Sequence, residues 1–433
     1  MKSIASVLSI IALGFGLLGC PGSGGGGGGG GSSSTAFLYV SNSGGNDISA
    51  YSVDTTTGEL TPLASSPFSA GTTPQAMTVS TTGQVAFVSN AGSTNVSGYI
   101  VDSSTGFLTP ASVAPFPAGT TPQTLTLEPF EKFAFVANAG ADSVSVYSVN
   151  TTTGILTAVP GFSFSVAPGT QPQRATVVTV NPTRQFVYLA NAGSGNISGF
   201  FLNTPTGFLT SVPGSPFAVG ATPRSVVADS AGKFVYIANA GAASISAFGV
   251  DQTTGELLAT VAGAPFTAGT IPQPVTLHPT KPFAYVANAG SSNLSAYSVN
   301  AGNGVFSPIT NPALGAPDPN FFGAGTTPQQ VTIDPTGRFA LVANSGSDDV
   351  SVYAIDQTIG VLTQVTGSPF AAGSQPQRVT VDPTGKFAFV PNAGSDDVSV
   401  YQLNSTTGFL TPVTGSPFAA GIGPRFATTA GTF

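Results

Sequence analysis

Tryptophan is absent from this 433-residue sequence, and cysteine and histidine occur once each. One cysteine makes no internal disulfide and no thiolate metal cage. One histidine leaves no partner for a His-rich zinc site or a two-histidine proton relay. Only 7% of the residues are charged, eleven basic against eighteen acidic, for a formal net charge of −7. Nucleic-acid binding needs a basic face, so that class is excluded. Neither a metal nor a cofactor is expected.

Abundance lies elsewhere, in 55 Gly, 35 Pro and 31 Phe. So much Gly and Pro can mark disorder, but the Phe content and a mean hydropathy of +0.27 argue for a packed core. Few helix formers and many turn residues read as short strands joined by turns.

The first twenty residues read as an export address. Lys2 opens it, residues 4–18 form an apolar stretch too short to span as a mature helix, and Leu17-Leu18-Gly19-Cys20 ends it. That ending resembles the bacterial lipoprotein box, which implies a signal peptide at 1–19 and lipidation of Cys20. An ordinary secretory signal with a coincidental Cys is the alternative. Pro21 rather than Asp follows the Cys. An outer-membrane lipoprotein is therefore expected, on the periplasmic or cell-surface face. Residues 20–36, with eight consecutive glycines at 24–31, read as a flexible tether.

The remainder, 37–433, is a repeat array. Its anchor is an Asn-Ala-Gly-like triplet after an apolar run, with Asn at 42, 90, 138, 191, 239, 288, 344 and 392. The spacings are 48, 48, 53, 48, 49, 56 and 48, so there are eight units of about 50 residues, enough for four short strands each. In the seventh copy the strand signals fall at 339–343, 350–355, 361–365 and 378–381. Both faces of the second are largely apolar, as a sheet sandwiched between two others requires. Such units repeated radially make an all-β propeller, here of eight blades. The array opens at 37–41 with the second strand of a unit and ends at 425–430 with a fourth. The last strand is therefore expected to enter the first sheet as its innermost member and close the ring.

The copies Phe234-Val235-Tyr236-Ile237-Ala238-Asn239 and Phe283-Ala284-Tyr285-Val286-Ala287-Asn288 closely resemble the Tyr-Val-Thr-Asn-type repeats of the lactonase-like (6-phosphogluconolactonase-type) propeller family. The segments Thr407-Gly408-Phe409-Leu410-Thr411-Pro412 and Asp382-Pro383-Thr384-Gly385-Lys386 strengthen the match, which covers 37–433. The resemblance implies sugar-lactone hydrolysis and usually seven blades. It also implies a His after the inner-strand Pro and an Asp in place of the turn Asn. This chain has neither.

Strand alternation puts the loop entering the inner strand and the Asn-Ala-Gly turn on one face, the top. After the inner-strand Pro the copies carry Gln75, Gln123, Gln173, Arg224, Gln273, Gln329, Gln377 and Arg425. One position on, Arg174 and Arg378 appear. Four of the six Arg thus sit at the funnel mouth, in two pairs each four units apart. Guanidinium matches carboxylate or phosphate, so these Arg and Gln are candidate ligands for a small anion such as a sugar acid. Stacking of the Arg on Phe, or pairing with Asp, is the structural alternative. Top-turn Asp47, Asp142, Asp348, Asp349, Asp396 and Asp397 read as solvated carboxylates or a calcium site. His278 occupies a bottom turn where other copies have Asp334 or Asp382, and reads as a turn substitution. The longer sixth unit points to an extended loop at 311–322.

Three functions are consistent with these residues. The first is a lipid-anchored, monomeric module that binds a small anion or an envelope protein without catalysis. The second is a sugar-lactone hydrolase, and the third a purely structural envelope protein.

Overall fold

The computed structural model describes residues 36–433, apart from 167–169, 182 and 311–320. The signal, Cys20 and nearly all of the tether lie outside the described residues. So does most of the sixth-unit insertion, of which Phe321–Gly323 is seen as a short strand.

Eight antiparallel sheets, each built on a path of four strands, follow one another along the chain. They form an eight-bladed propeller. No helix among the described residues is long and apolar enough to cross a membrane. In the second blade the path runs from the inner strand Pro74–Val79 through Val85–Asn90 and Asn95–Val101 to the edge strand Leu108–Pro110. A two-residue strand, Phe116–Pro117, pairs with the other end of the third strand. Most blades thus present two short edge pieces rather than one long edge, and several end in Pro, which discourages edge-to-edge pairing.

The two middle strands are buried on both faces, which explains their near-continuous apolar sequence. In the turn after Asp47–Val53, Asp54 Oδ1 accepts the backbone N–H groups of Thr56 and Thr57 at 2.7 and 2.9 Å. Gly58 completes that turn at φ 79°, and a Cβ on it would lie 2.5 Å from the Phe387 ring of the neighbouring blade. Glycine is required there for both conformation and approach.

The core lies between blades. One apolar cluster joins Phe37 and Tyr39 of the first blade to Ala86 and Val88 of the second. Another joins Phe389 and Val400 of the eighth to Leu38 and Val40 of the first, so the series closes on itself. Tyrosine hydroxyls fasten the same seams: Tyr39 donates to Gly106 O at 2.7 Å and Tyr99 to Ser69 O at 2.6 Å. Around the axis, Thr78, Thr126, Thr176, Thr276, Thr332 and Thr380 each donate a hydroxyl to the next blade's inner-strand carbonyl at 2.7–2.9 Å. The two equivalent positions, Val227 and Thr428, make no such bond among the described residues.

Closure follows the sequence expectation. Pro424–Gly431 pairs antiparallel with Ala36–Asn42 and is the innermost strand of the first blade. In the seventh unit the first two strand signals fit to within a residue, and the third is Leu362–Gln364. The fourth is shorter than expected, Thr380–Val381, preceded by an isolated Pro376–Asn392 bridge.

Candidate functional site

The two repeat anchors meet in space. In all eight blades the inner-strand Pro pairs with the Asn of the adjacent strand, from Pro74 with Asn90 to Pro424 with Asn42. Each Asn is fully buried, and its Nδ2 donates to the side chains five and seven residues on. For Asn288 these are Asn293 at 2.8 Å and Ser295 at 2.9 Å. The Asn is thus a structural bracket that ties the top turn to its strand.

A bulge follows the Pro. In the fourth blade Pro172 pairs with Asn191 and Ala175 with Leu189, so Gln173 and Arg174 together oppose Ala190. The irregularity separates the fates of the two candidate positions. At the first, Gln75, Gln123, Gln173, Gln273, Gln329 and Gln377 fold back, each Nε2 donating to the carbonyl two residues earlier at 2.9–3.5 Å. Arg425 is exposed and its Nε donates to Ser43 Oγ at 3.1 Å. Arg224 is half-buried, and its Nε has no hydrogen-bond partner.

The second position faces the axis. Arg174 and Arg378 line one cavity of about 460 Å³ bordered by inner strands of five blades. A second cavity of about 400 Å³ shares Arg174 and is completed by Ser225, Pro274 and Gln330 from the remaining blades. These volumes fall in the roughly 300–1,000 Å³ range of small-molecule sites. None of the six glutamines, Arg224 or Arg425 lines either one. The funnel pair is therefore Arg174 with Arg378.

Arg378 lies over the Phe426 ring at 5.6 Å, which leaves the edge of its guanidinium fork free. Among the described residues neither channel Arg has a carboxylate partner or a hydrogen bond. Arg174 keeps an exposed surface in the channel and Arg378 is half-buried. Desolvation by the surrounding protein lowers the pKa of Arg174, and burial together with the nearby Arg174 charge lowers Arg378 to about 10. Both stay protonated at neutral pH. Beside Arg174, Ser225 is 5% exposed and its Oγ has no partner. The arrangement offers two cations and an unused hydroxyl to an anion.

The acidic top turns are committed elsewhere. Asp142, Asp348 and Asp396 accept backbone N–H groups of the next blade's loop, at Gln171, Gln375 and Gly423, at 2.8–2.9 Å. Asp47, Asp349 and Asp397 each accept a bracket Asn at 2.6 Å. Among the described residues no group of three His, Cys, Asp or Glu is placed to hold a metal.

His278 replaces the turn Asp in role as well as position. Asp382 accepts Thr384 N and Phe387 N, while His278 Nδ1 accepts Thr280 N and Lys281 N at 3.2 and 3.0 Å. With Nδ1 accepting, Nε2 carries the proton and donates to Gly337 O at 2.7 Å. Burial lowers its pKa.

Two carboxylates of the channel escape sequence reading altogether: Glu128 and Glu131, which line the cavity of the two arginines. The available signal at Glu131 is a Glu in the slot where four other bottom turns carry Gly.

The family model described as "Lactonase, 7-bladed beta-propeller" matches residues 31–117, 108–271 and 269–429. Three overlapping matches accommodate eight blades under a seven-blade description. No curated protein matches the sequence. Among solved structures, a Bacteroides uniformis protein bearing the name 6-phosphogluconolactonase is 16% identical with TM-score 0.61, covering 92% of this chain and 100% of its own. The Pseudomonas aeruginosa periplasmic gluconolactonase is 18% identical with TM-score 0.58, covering 92% and 99%. A dihydro-heme d1 dehydrogenase is 14% identical with TM-score 0.62, covering 91% and 74%. One fold thus spans different named activities.

Proposed function

The chain belongs to the lactonase family of β-propellers, and from that premise we propose that its channel binds an anionic sugar lactone or sugar acid and hydrolyses the lactone. The observation that carries this reading is the convergence of Arg174 and Arg378 on one cavity whose two carboxylates, Glu128 and Glu131, bond to other groups and pair with neither guanidinium among the described residues. An anionic ligand supplies the missing countercharge through charge-assisted hydrogen bonds. The polar rim at Ser225 and Gln330 suits hydroxyl groups on the same ligand.

A second reading is a binding module without catalysis. It is favoured by the Gln or Arg after every inner-strand Pro, and the Asn at every top turn, where the family resemblance implies His and acid. A purely structural envelope role is the third. Purified protein with a panel of aldonolactones and the corresponding acids separates them. Hydrolysis that falls in Arg174→Ala and Arg378→Ala supports the hydrolase. Saturable acid binding without turnover supports the module, and neither leaves the structural role.

We also propose that residues 1–19 are an export signal and that Cys20 is lipidated, placing the domain at the outer membrane. Incorporation of labelled lipid that disappears in Cys20→Ser tests this.

A further inference from the structure

The geometry points to Glu131 as the general base of the channel, the group that takes the proton from the water attacking the lactone carbonyl. This rests on the hydrolase reading. The bottom turn Glu128-Pro129-Phe130-Glu131-Lys132 departs from its counterparts. In four of those turns Gly83, Gly232, Gly337 and Gly385 take positive φ of 63–75°, while Arg184 and Lys281 fill the slot in two others. Glu131 takes φ 56° with a full side chain, a left-handed conformation that L-residues other than Gly adopt at a cost.

The side chain is aimed inward. Glu131 is 9% exposed, and its Oε1 accepts Thr81 N of the neighbouring blade at 2.5 Å. Its Oε2 has no hydrogen bond among the described residues, and the residue lines the cavity of Arg174 and Arg378. The other carboxylate on that cavity, Glu128, uses both oxygens, on Phe130 N, Lys132 N and Gln185 Nε2. Glu131 thus combines a fixed carboxylate with a free oxygen. Its negative charge also orients the ligand, since an anionic group is drawn to the arginines and repelled from Glu131. The uncharged lactone carbonyl is left on the carboxylate's side.

The step balances without a further reactant. Water oxygen bonds to the carbonyl carbon as Glu131 takes its proton. The bond from that carbon to the ring oxygen then breaks, and Glu131 returns the proton to the departing ring oxygen. One water is consumed and a hydroxy acid is formed.

The test uses the full chain carrying Glu131→Gln and Glu131→Gly, assayed on the lactone panel. General-base loss is expected to lower kcat by about 100-fold or more. KM is expected to change by less than about 3-fold, because the arginines that grip the anion are intact. Glu131→Gly installs the residue of four other turns, so its melting temperature is expected to stay level or rise. Turnover within about 3-fold of wild type in either variant overturns the assignment while leaving hydrolysis intact. A wild type that binds acids but opens no lactone overturns both together.

Discussion

Arg174 and Arg378 stand four blades apart in a ring of eight, yet both line the same cavity and the charge of one lowers the pKa of the other. Such an opposition of like charges is relieved by an anion. Each of Arg174→Ala and Arg378→Ala is expected to weaken sugar-acid binding roughly 10- to 100-fold, the value of a charged hydrogen bond. Titration calorimetry at two salt concentrations reads this, and unchanged affinity removes the channel assignment. Arg224→Ala and Arg425→Ala serve as controls, since neither residue borders the cavity.

The Asn bracket predicts a sharp amide requirement. Asn288→Asp removes the donor to Asn293 and Ser295 and buries a carboxylate in its place. Stability is expected to fall by about 2–4 kcal/mol. Chemical denaturation checks it, and a loss below about 0.5 kcal/mol contradicts the bracket role.

Removing residues 424–433 takes the inner strand out of the first blade and exposes the edge of Ala36–Asn42. The truncated chain is expected to aggregate or to lose cooperative melting. A calorimetric transition unchanged from the full chain would refute strand closure.

His278 links stability to pH. Burial holds its folded-state pKa below the ordinary value of about 6.5, so the unfolded chain binds the proton more tightly. The contribution is complete above about pH 6.5 and is lost as pH falls from there through the lowered folded-state value. His278→Asp installs the residue found in the neighbouring turns. Between pH 7.5 and about 5 the wild type is expected to lose more melting temperature than this variant. Parallel curves would show that His278 carries no linkage.

The repeats make the architecture legible in the sequence itself. Eight Asn anchors count eight blades, and the phase of residues 37–41 against 425–430 fixes which strand closes the ring. The site is legible only to within one residue. Whether the position after the inner Pro or the next one faces the axis depends on a bulge, and the bulge leaves no composition signature. Asp142 and Asp396 cannot be assigned from sequence either, because their partners belong to the next blade's loop, 29 and 27 residues away. Glu131 is visible as an exception to the repeat. Its meaning needs the cavity and the hydrogen bond to Thr81 together.

The threonine stitches around the axis have a further consequence. They run unbroken from the second blade to the fifth, and from the sixth through the eighth to the first. The two seams without one, after Val227 and after Thr428, lie across a diameter. At its axis the ring is therefore two arcs of four blades, and Arg174 belongs to one while Arg378 belongs to the other. An anion gripped by both does mechanical work as well as chemical: it cross-links the arcs where the inner-strand threonine hydroxyls do not.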